Sequence, residues 1–260
     1  MSYSALARRP RVLTLLVWIL EVAVVLVSCA GAWYYFSTRR ALPAGSLAKS
    51  VENQSVSRGE VMSIARTYAE HRWEATAKNI RHGTDARGIE IQTPDSTGEK
   101  AEAGKWRIAQ DNIGVPYKWG GFDTPQSFDA ALKAGKAAGD VYSPAKRRQG
   151  DAAVSEEAAG VDCSGFISRC WKLPHKFGTA MLPGLCEALR SPDELQPGDI
   201  MDAPHGHVVL FVRWANPSKS KGVFYEAEAE PEPRVTASEH SMLWLRLCGA
   251  RPYRYLGIRD

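Results

Sequence analysis

Hydrophobic positions fall into three regimes along the chain. Val12 to Phe36 reads VLTLLVWILEVAVVLVSCAGAWYYF, an almost unbroken apolar run whose only charge is Glu21. A bilayer core takes roughly 20 apolar residues in helical form, so this run is long enough to span one. Ala41 to Ser55 is rich in Ser, Ala and Gly and predicts a tether. Val61, Ile64, Ala65, Tyr68, Ala69 and Trp73 then recur at helical spacing, after a Ser57-Arg58-Gly59-Glu60 capping box, and predict a packing helix with one buried stripe. Residues 81–104 are polar, with one short strand at Ile89-Glu90-Ile91. Trp106 to Ile113 predicts a short helix stopped by Gly114. Residues 122–160 are polar and rich in Ala, Gly and Lys, with a helical piece near Phe128 to Lys136.

From Gly198 the period changes. Asp199-Ile200-Met201 begins a strand, and His207 to Trp214, HVVLFVRW, is dense in strand formers. Asn216 to Gly222 suits a turn, and Val223 to Glu230, VFYEAEAE, alternates as a strand does. The two strands predict a hairpin. Helices first and strands later indicate an α+β fold rather than a parallel βαβ array.

Composition narrows the class without naming it. In 260 residues, 44% hydrophobic and 24% charged content excludes wholesale disorder. A net charge of +4, with no aromatic-basic platform, gives no basis for a nucleic-acid binder. Arg8, Arg9 and Arg11 before the apolar run, Arg39 and Arg40 after it, and the belt Trp33-Tyr34-Tyr35-Phe36 suit an uncleaved anchor. The competing expectation is a bacterial lipoprotein signal at Leu26-Val27-Ser28-Cys29, although the run stays apolar beyond Cys29. Both place the remainder outside the cytoplasm. Cys163, Cys170, Cys186 and Cys248 form no CxxC pair, so no zinc ribbon and no metal or other cofactor is expected. An oxidising compartment would allow one disulfide among Cys170, Cys186 and Cys248.

Chemistry concentrates at Gly160-Val161-Asp162-Cys163-Ser164-Gly165-Phe166. Phe166, Ile167, Cys170 and Trp171 share a helical face, which puts Cys163 in the first turn of a helix, where the partial positive charge favours a thiolate. His207 opens the apolar strand and is the candidate base; His205 lies on the turn before it. Glu226 sits on the partner strand, 19 residues on, where a hairpin can bring it beside His207, with Glu228 in reserve on the same face.

Four blocks resemble the NlpC-type cysteine peptidases, bacterial cell-wall hydrolases of papain-like fold: GVPYKWGG at 114–121, DCSGF at 162–166, LQPGDI at 195–200 and GHVVLFV at 206–212. The resemblance spans Trp106 to Ala229 in the family's order. It implies Cys163 as nucleophile, His207 as base and Glu226 in the third polar position, where the family commonly has His. It also implies that Tyr117 lines the cleft near the oxyanion and that Asp162 and Ser164 contact the peptide stem. The implied activity is hydrolysis of amide bonds in peptidoglycan stem peptides. Together with the anchor readings, the expected location is the membrane, on the extracytoplasmic, periplasm-facing side of a bacterial cell.

The expected organisation is therefore an anchor or lipoprotein signal at 1–40, a tether at 41–56, a helical extension at 57–105, and a catalytic domain at 106–260 with an insertion at 122–160. That insertion separates the tyrosine and cysteine blocks far more than is usual in the family. It is expected beside the cleft as a lid or specificity loop, or else is a tolerated surface segment, and its Lys146-Arg147-Arg148 cluster is either solvated or a clamp for an anionic substrate. Rival expectations on the same residues are a thiol acyltransferase or other amidase, and a catalytically silent wall-binding module. Oligomeric state is not legible.

Overall fold

The computed structural model describes residues 41–52, 54–96, 105–203 and 206–260. The expectations for the apolar run, for Cys29 and for His205 lie outside these residues. Among the described residues no helix is long and apolar enough to cross a membrane.

The described chain is a mixed α/β unit built on one six-stranded sheet. Its strands are β1 (Cys186–Ala188), β2 (Ile200–Ala203), β3 (His207–Trp214), β4 (Lys221–Ala227), β5 (Val235–Ser241) and β6 (Arg251–Tyr255), in spatial order β5-β4-β3-β2-β6-β1. Every pairing is antiparallel. The expected hairpin is β3–β4, with Leu210 opposite Tyr225 and a register shift between Phe211 and Arg213.

The near-continuous apolar run of β3 has a simple cause: both faces of the strand are covered. Val208 and Leu210 belong to the main core, whereas Val209 and Phe211 belong to a second cluster with Met201, Phe224, Met242 and Leu245. A strand with period-two alternation cannot be apolar at every position unless it is buried on both sides.

Among the described residues five α-helices accompany the sheet: α1 (Arg58–Ala69), α2 (Pro125–Lys133), α3 (Pro144–Gln149), α4 (Cys163–Cys170) and α5 (Met242–Leu247). The capping box predicted for α1 is present. Ser57 Oγ accepts from the Glu60 amide at 3.1 Å, and Glu60 returns the bond to the Ser57 amide at 2.9 Å. Val61, Ala65 and Tyr68 form its buried stripe, and Tyr68 meets Phe166 of α4 edge-on at 5.6 Å. In α4 every residue except Arg169 is buried, so this short helix is held by packing rather than by propensity.

Three expectations need correction. The supposed tether is not free. Leu42 donates to Ala180 O at 2.8 Å and Leu47 to Gly184 O at 2.7 Å, so residues 41–52 lie along the segment before β1. Ser-, Ala- and Gly-rich composition suits a linker, but backbone hydrogen bonds to a neighbouring segment satisfy it equally well. The extension at 57–105 is not wholly helical. After α1 it carries short strands at Arg72–Trp73, His82–Thr84 and Glu90–Gln92. It is also integral to the unit, because Val56–Ser57 pairs in parallel with Ile258–Arg259. The helix expected at 106–113 is absent. Trp106 and Ile108 make isolated bridges and Asn112–Ile113 pairs with Arg72–Trp73, while the Asn112 side chain bonds Arg107 N and Arg107 O, each at 2.9 Å. That local side-chain competition favours a turn over a helix.

Asp199, of the LQPGDI block, is fully buried and joins distant elements. Arg58 of α1 donates to it at 3.1 Å, Arg254 of β6 at 2.8 Å and the Gln196 amide at 2.9 Å. Cys163, Cys170, Cys186 and Cys248 are all free thiols, so the disulfide considered among the last three is not formed.

Candidate active site

The site begins with the capping of α4. Asp162 adopts an extended N-cap conformation, and its Oδ1 accepts from Gly165 N at 2.7 Å and from Ser164 Oγ at 3.0 Å. Its Oδ2 accepts from Lys176 Nζ at 2.5 Å. Both carboxylate oxygens are therefore engaged within the protein, and Ser164 is 3% exposed. The contact with substrate implied for Asp162 and Ser164 finds no free polar surface here. What these residues do in the structure is fix the start of the helix that carries Cys163.

The tyrosine and cysteine blocks meet at this point. Phe122 bridges Val161, Tyr117 bridges Val161, and the Asp123 carboxylate accepts from Gly160 N at 2.8 Å. A Cβ on Gly165 would lie 2.0 Å from Gly121 O, so the two glycines allow a backbone approach that no side chain permits. The insertion thus leaves and returns at one place, and its length costs the site little in position.

The insertion is not remote from the thiol. Cys163 Sγ lies 3.5 Å from Gly206 O, and a Cβ on Gly206 would be 3.3 Å from Arg147 Nη2 of α3. Of the basic cluster, Lys146 is buried against Asp140, Arg147 stands by Gly206, and Arg148 is exposed. One residue of three therefore lies at the site, one is structural and one is solvated.

His207 opens β3 beside Cys163. Its Nε2 lies 2.7 Å from Glu226 Oε2, and the ring stands close enough to the Cys163 side chain for the two to interact. With Nε2 engaged by the carboxylate, Nδ1 is the nitrogen left for the thiol. The ring keeps 41% of its surface exposed, so the partial loss of solvent opposes its charge only in part, and the interactions with Cys163 and Glu226 outweigh it and raise its pKa to about 10.

Glu226 is 1% exposed, and its Oε1 lies 2.6 Å from His240 Nε2 of β5. Burial works against its charge. The bonds from His207 and His240 prevail and hold the carboxyl well below the usual carboxylate range. Glu228, the reserve candidate, makes no side-chain hydrogen bond among the described residues. Burial and the neighbouring Glu226 push its pKa up to about 7. Continuing the Leu210–Tyr225 register places Glu228, not Glu226, across from His207, so Glu226 reaches the imidazole diagonally.

Tyr117 is buried close to the thiol. Burial pushes its phenol up, and Cys163 and Asp162 add to the effect. No described residue hydrogen-bonds its hydroxyl.

Sequence reading missed His240. It sits on β5, whose alternation Val235-Thr236-Ala237-Ser238-Glu239-His240 is a legible strand signal. Its meeting with Glu226 depends on register across two ladders. Among the described residues no cluster of three or more His, Cys, Asp or Glu is arranged to hold a metal ion. Comparison with protein-family models, curated proteins and solved structures returns no match for this chain.

Proposed function

We propose that this protein is a membrane-tethered cysteine peptidase or amidase of NlpC type. It hydrolyses amide bonds in peptidoglycan stem peptides, through Cys163 as nucleophile, His207 as general base and acid, and Glu226 as the residue orienting His207. The observation carrying this reading is the chain Cys163–His207–Glu226, with the thiol at the first residue of a buried helix and the imidazole held by a buried carboxylate at 2.7 Å. The packing of α4 on β3 and β4 supports a papain-like arrangement of helix and antiparallel sheet.

In this mechanism Cys163 and His207 rest as thiolate and imidazolium. The thiolate attacks the carbonyl carbon of the stem peptide. The Cys163 amide, first in its helix and with no preceding turn to bond, faces the developing oxyanion. One such donor is worth about 3–4 kcal/mol in the transition state. The Tyr117 hydroxyl is assigned as a second donor in this mechanism. His207 gives its proton to the departing amine as the C–N bond breaks, leaving a thioester on Cys163. His207 then takes a proton from water, hydroxide adds to the thioester, and release of the carboxylate regenerates the ion pair.

Digestion of purified peptidoglycan by the full-length chain tests the reading, with Cys163→Ala as control and mass spectrometry of the products. Stem-peptide fragments from the wild type alone are expected, and their masses name the bond. Equal fragments from Cys163→Ala, or none from either protein, would reject it. Amide products formed in the presence of an added amine would assign acyl transfer instead.

A further inference from the structure

We propose that His240 is a positioning residue of this site: its imidazole shares the Glu226 carboxylate with His207 and, by gaining or losing a proton, sets how strongly Glu226 holds His207 in its charged form. The inference rests on the reading that Cys163 and His207 are the reacting pair, and extends it by one residue.

Geometry carries the argument. Glu226 is shut off from water, and its two oxygens are divided between two imidazoles, Oε2 to His207 at 2.7 Å and Oε1 to His240 at 2.6 Å. A buried carboxylate with one oxygen unsatisfied loses much of the benefit of its charge. Removing the His240 donor would leave Oε1 without a partner, and Glu226 would then rotate or take up a proton. Either response weakens its grip on His207, although His240 itself lies on the far side of Glu226 from the thiol.

Protonation gives the contact a second consequence. The charged groups facing His240 are Glu226, Glu228 and His207. On its own strand Glu239 is engaged by Lys221 at 2.8 Å. The bond to Glu226 raises the pKa of His240 above its ordinary value, with burial opposing. While His240 is an imidazolium it neutralises Glu226, and His207 is less strongly held as a cation. Once His240 loses its proton its remaining N–H still supports Oε1, and the full carboxylate charge acts on His207. The Cys163 thiolate should therefore gain a further increment as pH rises through the ionisation of His240.

A purely structural His240, packed against the Phe224 ring at 5.8 Å, would show neither effect. Glutamine retains a donor near the position of Nε2 but does not titrate, so His240→Gln separates the bond from the proton.

The experiment is the pH profile of Cys163 alkylation by iodoacetamide in the full-length chain, followed by mass spectrometry of the Cys163 peptide. It is run on wild type, His240→Gln and His240→Ala, with hydrolysis rates alongside. Wild type should show Cys163 alkylation already at acid pH, with an additional rise in reactivity, seen as an inflection, at the ionisation of His240. His240→Gln should keep the low-pH reactivity and hydrolysis to within about three-fold and lose the inflection. His240→Ala should lower alkylation at acid pH and kcat/KM by about ten-fold, the lower end of what outer partners of a functional histidine contribute. If His240→Ala fails to fold, the inflection in His240→Gln decides alone. An inflection that survives in His240→Gln, or wild-type rates in a folded His240→Ala, would overturn the proposal while leaving the thiol hydrolase intact. A wild-type Cys163 that reacts only as an ordinary thiol would overturn the hydrolase reading itself.

Discussion

A carboxylate that is 1% exposed remains ionised only where donors replace its lost water, and Glu226 has one on each oxygen. Glu226→Gln removes the charge and presents an amide N–H to one of two imidazoles that need an acceptor. Unfolding titrations should show a loss of about 1–3 kcal/mol, and kcat/KM should fall by about 10²-fold, less than the roughly 10⁴-fold expected for His207→Ala. Equal rates in Glu226→Gln and wild type would remove Glu226 from the site. The pH dependence follows from the same groups. His207 is raised from 6.5 to about 10, so its contribution to stability is complete below about pH 6.5, declines above it and is gone past about pH 10. Glu226 is lowered, so its contribution is present above about pH 4.5 and is lost on acidification below that value. The linked groups should support the fold best between these limits, and melting temperatures of Glu226→Gln should converge on wild type at high pH. Cys163, His207 and Glu226 were legible in the sequence because one hairpin brings the last two together. His240 needed a third strand, and the burial of Asp162 and Ser164 needed the loop from Gly121, so neither showed in local spacing.

At the scale of elements, the nucleophile helix depends on two contacts made at its first turn. Asp162→Ala removes the cap and the partner of Lys176. It should cost about 1 kcal/mol in chemical denaturation, and more to the extent that Lys176 is left unpaired. Gly165→Ala sets a methyl 2.0 Å from Gly121 O, so backbone must move, and a loss of about 1–3 kcal/mol is expected together with slower hydrolysis. Wild-type stability in Gly165→Ala would show that the two blocks do not press on each other as described. The helical stripe, the capping box of α1 and the β3–β4 hairpin were readable from period and cap chemistry alone. The turn at 106–113 was not, because Asn112 bonds back to Arg107 and overrides a pattern compatible with helix.

Across the whole molecule, Asp199 ties α1, the loop before β2, and β6 into one unit, and it does so from full burial. Asp199→Ala strands two guanidinium groups around an apolar methyl. A loss of about 3–5 kcal/mol is expected, read as a fall of roughly 10 °C in melting temperature for a chain of this size. A shift below about 2 °C would mean that solvent already carries those charges. The PGD block is thus a structural joint in this chain, a role that the motif itself does not announce. The segment at 41–52 and the strand at Val56–Ser57 make the same point. Composition suggested a tether and a separate extension, whereas long-range pairing with residues 180–184 and 258–259 incorporates both. The insertion at 122–160 closes at its own base and brings Arg147 beside Gly206, close to the thiol. That proximity agrees with the expectation of a segment beside the cleft rather than on a distant surface.

The central claim is covalent chemistry at Cys163, and acid quenching during turnover of a peptidoglycan stem peptide tests it most directly. A thioester adduct is expected on the peptide containing Cys163 in the wild type, increased in any variant that slows attack by water and absent from Cys163→Ala. Hydrolysis that proceeds with no adduct and survives in Cys163→Ala would contradict it.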